Sequence, residues 1–395
     1  MQLPEKITKL SVSSFAEPTG VITQPGQFQF LYSGVQPVSL TMDVRGEPYQ
    51  YGSLHPVFSQ NLPEGFIRRY LYERLLRHAQ VNDLYLLALQ GSKGIGHLNY
   101  HSDISPSRHE QLTLSDILHW GGKGRLFEQL LERYYLNGQL SGVQPKVLVN
   151  INKKGAIPQE SVIVKTFDAE FDLLTANEFI CMSAAKYVGL EPPQFWISDD
   201  LQSFVIERFD HQAGEQLAFE DFTVLMGKSG DQKYHSSYET LLKAVAHYTK
   251  SEREVERAYR YIVFSCLVGN GDAHLKNFAV QYDKTRSNVV LCPPYDITHT
   301  LIYETLDNNM ALKMANSKTF PDYRTLVQLG NNHRITQAKQ CVDQIADSLN
   351  DFITHHLDPS LVPGLKASLQ SSLTHACQTH STLAAYRHDK KRKFT

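Results

Sequence analysis

One polar loop between two apolar segments constrains the fold of this chain most strongly. The loop Gly269–Asn277 follows an apolar run that predicts a buried helix, and it precedes the strand-like segment Phe278–Val280. Asp272 and Asn277 stand five positions apart, which is the spacing of the catalytic loop in protein kinases. In such a loop Asp272 could face an acceptor hydroxyl, the Asn277 amide oxygen could bind Mg²⁺, and Lys276 could neutralise charge on the transferring phosphate. The alternative is a turn in which Asp and Asn only satisfy backbone groups of the loop.

A second carboxylate follows nineteen residues after Asn277. Two short apolar segments, Phe278–Tyr282 and Val289–Cys292, are joined by a polar turn, which predicts a hairpin. Because a hairpin returns the chain, we expect Asp296 to face the loop and to supply a second ligand for Mg²⁺. Taken alone, an Asp after Pro-Pro-Tyr is more often a turn residue or a helix cap than a metal ligand.

Upstream, a lysine and a glutamate each interrupt an apolar pattern. Lys165 ends the apolar strand predicted at Ser161–Lys165, where an ammonium is costly to bury unless it is paired. Glu178 lies on the apolar face of a helix predicted over residues 172–189. A Lys–Glu ion pair in such a position orients ATP phosphates in kinases. The alternative is a strand-edge lysine that reaches water and a glutamate at the rim of the helix.

Two further segments could contact a nucleotide. Leu201–Asp210 lies where a connector between two lobes would run, so its backbone could bind an adenine edge with Phe209 as an apolar wall. Ser141–Lys146 precedes a predicted strand, but its single glycine fits neither common phosphate-loop motif. The order of these features along the chain is that of an ATP-dependent kinase. It runs from the loop to the strand lysine, the helix glutamate, the connector, the D-x-x-x-x-N motif and the metal Asp.

Composition sets the broad class of the protein. The chain has 395 residues, enough for two or three domains, and 39 Lys plus Arg against 41 Asp plus Glu, giving a net charge of −2. That balance predicts no global field for nucleic acid or an anionic membrane. Five dispersed cysteines without a CxxC pair suggest no zinc module, and we interpret His274 as structural. With no secretory signal and no apolar run near the roughly 18 residues of a membrane helix, we expect a cytoplasmic protein.

The order of predicted elements indicates an α+β fold, with a strand-rich part followed by a helical part. Residues 1–36 are predicted to be an irregular lead-in, and the alternation of apolar residues predicts a strand within 37–50. Helices are predicted over 64–77, 84–89, 126–135, 239–249, 252–268, 335–356 and 365–386. The predicted domains are an amino-terminal subdomain (37–125), an ATP-binding lobe (126–214), a helical catalytic lobe (215–388) and a basic tail (389–395).

Four segments together resemble the signature blocks of HipA-like kinases, which are toxins of bacterial toxin–antitoxin systems. These segments are Ser141–Lys146, Ile206–Asp210, Asn270–Asn277 and Tyr295–Ile297. The resemblance covers roughly residues 37–370 and implies a bilobal, protein-kinase-related fold with a small amino-terminal α/β subdomain. It implies the following roles: Ser141, Gly142 and Lys146 over the ATP phosphates, Lys165 at those phosphates, Glu207 and Phe209 at the adenine, Asp272 in catalysis, and Asn277 and Asp296 on Mg²⁺. The roles of Glu178 beside Lys165 and of Lys276 in catalysis rest on the residue pattern described above.

The resemblance also implies a function. The chain is expected to be a serine/threonine protein kinase that uses ATP and Mg²⁺, with a translation-related substrate such as an aminoacyl-tRNA synthetase. An antitoxin partner is expected, with DNA contact through that partner, because the chain has no evident helix-turn-helix. Some relatives carry an autophosphorylated serine where this chain has Gln139, which leaves Ser141 as the candidate.

Two alternatives remain open. One is a catalytically silent module that holds an antitoxin, and the other is a metal-dependent nuclease using Asp272 and Asp296. The nuclease would need neither Lys165 nor the connector.

Overall fold

The chain folds into two compact units. The computed structural model describes residues 4–76, 79–92, 94–104, 112–121, 126, 130, 146–151, 160–166, 171–212 and 214–377. The first unit comprises Met1–Thr175, Pro193–Gly230 and Ala279–Val289, and the second comprises Ala176–Pro192, Asp231–Phe278 and Val290–Thr395. The predicted domain boundaries stay predictions, apart from the amino-terminal segment.

An antiparallel five-stranded sheet opens the first unit. In spatial order its strands are Tyr49–Tyr51, Phe28–Tyr32, Glu17–Thr23, Lys9–Ser14 and Leu98–His101. The prediction of an irregular lead-in over residues 1–36 is therefore wrong. Alternate residues such as Leu10, Val12, Phe28 and Phe30 point into the core, but the Ser, Pro and Gly residues between them conceal that alternation in the sequence.

The prediction of a strand within residues 37–50 is also wrong, except at the carboxyl end of that segment. Ser39 and Met42 form an isolated bridge, and the regular strand begins at Tyr49. The hydroxyl of Tyr32 donates to the Met42 carbonyl at 2.8 Å and accepts from the Val38 backbone N–H at 3.1 Å. Because a side chain satisfies these backbone groups, the segment needs no neighbouring strand.

Among the residues described, five short helices share a hydrophobic core with this sheet. They are Pro56–Ser59, Gly65–Leu75, Asp83–Gln90, Leu114–Leu118 and, later in the chain, Phe222–Leu225. The helices predicted over 64–77 and 84–89 are confirmed within one or two residues. Asn82 caps the second of these by accepting the Tyr85 backbone N–H at 2.9 Å. Of the helix predicted over 126–135, most residues lie outside the described part of the chain.

A second antiparallel sheet in the first unit carries the predicted strand lysine. Its strands, in spatial order, are Lys146–Ile151, Glu160–Lys165, Phe204–Glu207 and Phe195–Ile197. Lys165 pairs with Phe204, and Val162 pairs with Glu207. Four of the ten residues predicted as a connector, Phe204–Glu207, therefore form a regular strand. In the same unit Ala218–Asp221 pairs with Ala279–Tyr282, the strand that follows the polar loop.

The second unit is mainly helical. Its helices are Leu174–Tyr187 (from residue 176), Tyr238–Thr249, Glu252–Leu267, Tyr323–Asn332, Ala338–Asp351 and residues 365–377. The helices predicted over 239–249 and 252–268 are confirmed. The one predicted over 335–356 starts at Ala338 and ends in a π-helical turn, Phe352–His356. The helix Tyr323–Asn332 and the hairpin Asn309–Met314 with Ser317–Thr319 were not predicted. Among the described helices, none has both the length and the apolar character that a membrane span requires.

Candidate functional site

The loop predicted to be catalytic lies in the second unit, and its glycines are required by close packing. Gly269 has a φ of +72°, and a Cβ there would lie 2.9 Å from the His299 Nδ1 atom. The Gly271 backbone N–H donates to the Thr300 hydroxyl at 2.8 Å. A Cβ on Gly271 would lie 2.7 Å from the Asn309 carbonyl oxygen, a backbone atom that cannot easily move. The loop is thus pressed against the segment around His299 and Thr300.

Asp272 is presented from this otherwise buried loop. Its backbone N–H donates to the Asn270 side-chain oxygen at 3.1 Å, and the Tyr238 hydroxyl donates to the Ala273 carbonyl at 3.1 Å. Asn270, Ala273 and Leu275 are buried, whereas the Asp272 side chain is 52% exposed. Hydrogen bonds therefore hold the loop backbone, while the Asp272 carboxylate is accessible to a ligand from solvent.

Asn277 and Asp296 meet, as the hairpin predicts. The Asn277 amide nitrogen donates to Asp296 Oδ2 at 3.0 Å, although nineteen positions separate the two residues. The Asn277 Oδ1 atom accepts the His274 backbone N–H at 3.0 Å and keeps a second lone pair. Asn277 is buried, and Asp296 is half-buried. The Asn277 amide and the Asp296 carboxylate are therefore in contact at the end of the loop.

The backbone at Asp296 is strained and held from two sides. Asp296 has a φ of +61°, a left-handed conformation that costs energy for a residue with a Cβ and is concentrated at functional sites. The Tyr261 hydroxyl donates to the Tyr295 carbonyl at 2.8 Å, and the Tyr295 hydroxyl donates to the Lys276 carbonyl at 2.6 Å. These bonds fix the loop and the Asp296 segment relative to each other. Lys276, whose carbonyl accepts one of the bonds, is half-buried.

His274 is a structural residue, as interpreted from the sequence. It is 6% exposed, and burial lowers its pKa to about 3, with the nearby charge of Lys233 acting in the same direction. The imidazole is therefore neutral at physiological pH. Its Nε2 atom lies 4.0 Å from Asp272 Oδ1, which is too far for a hydrogen bond.

Glu178 and Lys165 are both buried, which favours functional roles over the alternative of solvated side chains. Glu178 is fully buried on the helix Leu174–Tyr187 of the second unit. Burial raises the pKa of Tyr261 well above its ordinary value, and the carboxylates of Asp296 and Glu178 raise it further. Glu178 thus shares one electrostatic environment with Asp296. Lys165 is 3% exposed on its strand of the first unit, and its pairing with Glu178 stays a prediction.

The predicted adenine segment contains an ion pair that the sequence did not reveal. Glu207 and Phe209 are half-buried, but Arg208 and Asp210 are fully buried against each other. Arg208 Nε donates to Asp210 Oδ1 at 2.7 Å, and the Gly96 backbone N–H donates to Asp210 Oδ2 at 2.7 Å. Although burial alone would raise the pKa of the Asp210 carboxyl, Arg208 and these hydrogen bonds hold it below its ordinary value. This pair fixes the chain that follows Glu207.

Three predicted residues lie outside what the structure describes. Ser141 and Gly142 fall in an undescribed segment, and the Lys146 side chain is undescribed, although its backbone begins a strand. Their predicted contact with ATP phosphates stays a prediction.

The donor set fits magnesium better than zinc. Within the described residues there is no group of three or more His, Cys, Asp or Glu side chains that could hold a metal ion. Mg²⁺ is typically bound by one or two protein oxygens together with phosphate oxygens and water. The Asn277 side-chain oxygen and the Asp296 carboxylate could supply those protein oxygens, since the two side chains are in contact.

Sequence reasoning missed Tyr234 and Lys233. They end the 3₁₀ helix Gly230–Tyr234, and the Tyr234 hydroxyl donates to Asp272 Oδ1 at 3.3 Å. Lys233 is buried, with its ammonium 5.1 Å from the centre of the Tyr234 ring. A lysine and a tyrosine in a polar, glycine-rich stretch give only a weak signal of such a position.

Comparisons with known proteins agree with the resemblance inferred from the sequence. A model of the HipA N-terminal domain matches residues 13–101, and one of the HipA-like C-terminal domain matches residues 138–353. Y4dM of Sinorhizobium fredii, named as a proposed kinase, is 28% identical over 354 residues, which is 79% of this chain and 82% of that protein. The serine/threonine-protein kinase toxin HipA of Shewanella oneidensis is 26% identical over 231 residues, which is 52% of this chain and 50% of that protein.

A solved structure shares the fold. It is a chain in the complex of HipA, HipB and operator DNA from Shewanella oneidensis, with a TM-score of 0.67 and 20% identity. The match covers 93% of this chain and 97% of that chain. The predicted α+β, kinase-related fold is therefore confirmed.

Proposed function

We propose that this chain transfers the γ-phosphate of ATP to a serine or threonine of another protein. The chain belongs to the HipA-like kinase family, and the proposal starts from that membership. One observation carries the proposal. Asn277 and Asp296 meet at 3.0 Å beside a loop that exposes Asp272, while the residues around that carboxylate are buried. A turn that only satisfied its own backbone would need neither the distant Asp296 nor its strained conformation.

The residues of the second unit then take distinct roles in phosphoryl transfer. Asp272 orients the acceptor hydroxyl and receives its proton on a carboxylate oxygen. Asn277 and Asp296 would hold Mg²⁺, which would neutralise charge on the phosphates. Lys276 offsets negative charge on the transferring group. Because little covalent chemistry falls to the protein, fixed positions of these side chains supply most of the rate enhancement.

The other predicted residues bind ATP. Lys165 contacts the phosphates, and the sequence pattern of a strand lysine followed by a helix glutamate predicts Glu178 as the residue that orients it. Glu207 and Phe209 receive the adenine on a segment that the buried pair of Arg208 and Asp210 keeps rigid. The loop with Ser141, Gly142 and Lys146 covers the phosphates, with Ser141 as the candidate autophosphorylation site.

The family context suggests the substrate and the partner. We propose a cytoplasmic kinase whose substrate is a translation-related protein such as an aminoacyl-tRNA synthetase. The solved relative from Shewanella oneidensis is a complex with HipB and operator DNA. By analogy, an antitoxin would bind this chain and make the contact with DNA.

Phosphoproteomics on cells that express either the wild type or Asp272→Ala tests this proposal. The expected result is a small set of phosphoserine or phosphothreonine sites present only with the wild type. Identical phosphoproteomes, together with an absence of Mg²⁺-dependent ATP binding by the pure protein, would indicate a silent antitoxin-binding module instead. Cleavage of nucleic acid that is lost in Asp272→Ala would indicate the nuclease.

A further inference from the structure

Two tyrosines four residues apart contact consecutive residues of the catalytic loop. The Tyr238 hydroxyl donates to the Ala273 carbonyl at 3.1 Å, and the Tyr234 hydroxyl donates to Asp272 Oδ1 at 3.3 Å. The two contacts differ in kind. Tyr238 is fully buried and fixes the backbone of the loop, whereas the half-buried Tyr234 reaches the carboxylate itself.

The position of the Tyr234 phenol is determined by packing on its ring. The His274 ring meets it edge to face at 5.2 Å between centroids, and the Lys233 ammonium lies 5.1 Å from its centre. Lys233 is 6% exposed, so it is a fixed part of the core rather than a mobile surface side chain. With neighbours on the ring, the phenol is directed at Asp272 by structure that forms whether or not a substrate is present.

A phenol donor has a specific effect on a carboxylate. It stabilises the ionised form, because a hydrogen bond to the charged carboxylate is stronger than one to the protonated carboxyl group. It also restricts the rotation of the carboxylate, which is otherwise 52% exposed and would sample several orientations. The His274 Nε2 atom cannot do the same, since at 4.0 Å it is beyond hydrogen-bond reach.

We propose that Tyr234 is a positioning residue for phosphoryl transfer, whose phenol keeps the Asp272 carboxylate ionised and correctly oriented for the acceptor hydroxyl. This inference rests on the proposed kinase function and adds a group that neither the D-x-x-x-x-N motif nor the metal ligands include. Phosphoryl transfer requires the acceptor oxygen in line with the γ-phosphate, so a carboxylate that rotates freely would orient the hydroxyl for only part of the time.

Several titratable groups surround the Asp272 carboxylate, so the test must change one alone. They are Tyr234 and Lys233 on the 3₁₀ helix, Tyr238 on the helix after it, and His274 and Lys276 within the loop. Tyr234→Phe removes a single hydroxyl and leaves the ring that packs on His274 and Lys233. The fold is therefore expected to survive, and a thermal melt checks this.

Steady-state kinetics over a range of pH provide the first readout. Tyr234→Phe is expected to lower kcat roughly tenfold, the rate equivalent of one hydrogen bond to a charged group, with the KM for ATP unchanged. The acidic limb of the pH profile is expected to move to higher pH, because the carboxylate protonates more easily without its donor. Wild-type kcat together with an unmoved acidic limb would overturn the proposal.

Two matched variants separate positioning from structural support. Tyr238→Phe removes the backbone anchor, so it is expected to lower the thermal midpoint and leave the acidic limb in place. Tyr187→Phe removes a hydroxyl that donates to Asp351 outside the loop, and it is expected to leave kcat and the pH profile unchanged. If Tyr238→Phe shifted the acidic limb as much as Tyr234→Phe does, the phenol of Tyr234 would have no special role.

A second readout does not depend on kinase activity. In protein labelled with ¹³C-aspartate, the Asp272 carboxyl resonance, identified by its absence in Asp272→Asn, is titrated in the wild type and in Tyr234→Phe. The midpoint is expected at higher pH in the variant, and coincident titrations would overturn the proposal. The two proposals can fail separately. If the wild type transferred no phosphate but the Asp272 midpoint still rose in Tyr234→Phe, the proposed function would be refuted and the Tyr234–Asp272 interaction would stand.

Discussion

The side-chain amide of Asn277 donates a 3.0 Å hydrogen bond to the carboxylate of Asp296, across nineteen positions of sequence. This contact joins the end of the polar loop to a segment with a strained, left-handed Asp296. Such strain persists where surrounding contacts over-determine it, and here Tyr295 and Tyr261 provide those contacts. Under the proposed function, the Asn277 amide oxygen and the Asp296 carboxylate would both bind one hard cation.

Asp296→Asn is expected to raise the Mg²⁺ concentration needed for half-maximal phosphate transfer by at least about tenfold, because a neutral ligand binds the cation more weakly. Titration of Mg²⁺ at saturating ATP measures this. Asp358→Asn, which neutralises an exposed carboxylate elsewhere in the same unit, is the control and should match the wild type. An unchanged Mg²⁺ requirement in Asp296→Asn would exclude Asp296 as a ligand.

Lys165→Met is expected to weaken ATP binding by roughly tenfold or more, since it removes a charge-assisted bond to the phosphates. Glu178→Gln should weaken it less, because the lysine remains present but is less well oriented. Calorimetry with ATP and Mg²⁺ measures both. Lys313→Met, at an exposed lysine on another strand, is the matched control. A nucleotide-bound structure with solvent between Lys165 and Glu178 would refute their pairing.

Gly271→Ala is expected to lower phosphate transfer by roughly tenfold or more and to destabilise the second unit, because the added methyl would meet the Asn309 carbonyl oxygen at 2.7 Å. Activity and thermal midpoint are measured together. Gly52→Ala, at a glycine with open space where the methyl would lie, is the control and should change neither. Full activity in Gly271→Ala would show that the loop is not tightly held against Asn309.

Four buried histidines predict a loss of stability in mild acid. Burial lowers the pKa values of His97 and His274 to about 3 and those of His55 and His299 to about 4. Below about pH 6.5 the unfolded chain gains protons that the folded chain does not bind, so the free energy of unfolding falls as pH falls. Each histidine contributes at most about 1.4 kcal/mol per pH unit in that window.

Urea unfolding at pH 7.5, 6.5 and 5.5 measures this slope. His55→Asn is expected to reduce it by one histidine's share, and an asparagine can replace His55 as a helix cap. His247→Asn, at an exposed histidine, should leave the slope unchanged. Stability that is constant from pH 7.5 to 5.5 would contradict the prediction.

Local patterns made the helical part of the fold and the core of the site predictable. The apolar run before Gly269 predicted the helix Glu252–Leu267, and the spacing of Asp272 and Asn277 with a hairpin beyond it predicted the meeting with Asp296. Each of these signals lies within a few dozen residues of sequence, where helical periodicity and turn residues directly determine the course of the chain.

Other features could not be predicted because their causes are not local. The bond from Tyr234 to Asp272 spans 38 positions, and its sequence signal is an isolated tyrosine. The strands between residues 9 and 32 contain Pro18 and Gly20, which weaken strand propensity, so tertiary pairing determines them. The backbone near Val38 is satisfied by the Tyr32 hydroxyl rather than by a neighbouring strand, which no periodicity reveals.

The proposed kinase activity is tested by transfer of radiolabel from [γ-³²P]ATP by the purified protein, compared between the wild type and Asp272→Asn. The variant keeps the size of the side chain and removes its charge, so its thermal midpoint should match that of the wild type. We expect Mg²⁺-dependent labelling of protein by the wild type and a loss of roughly 10²–10⁴-fold in Asp272→Asn. Labelling by Asp272→Asn at a rate near that of the wild type would contradict this expectation.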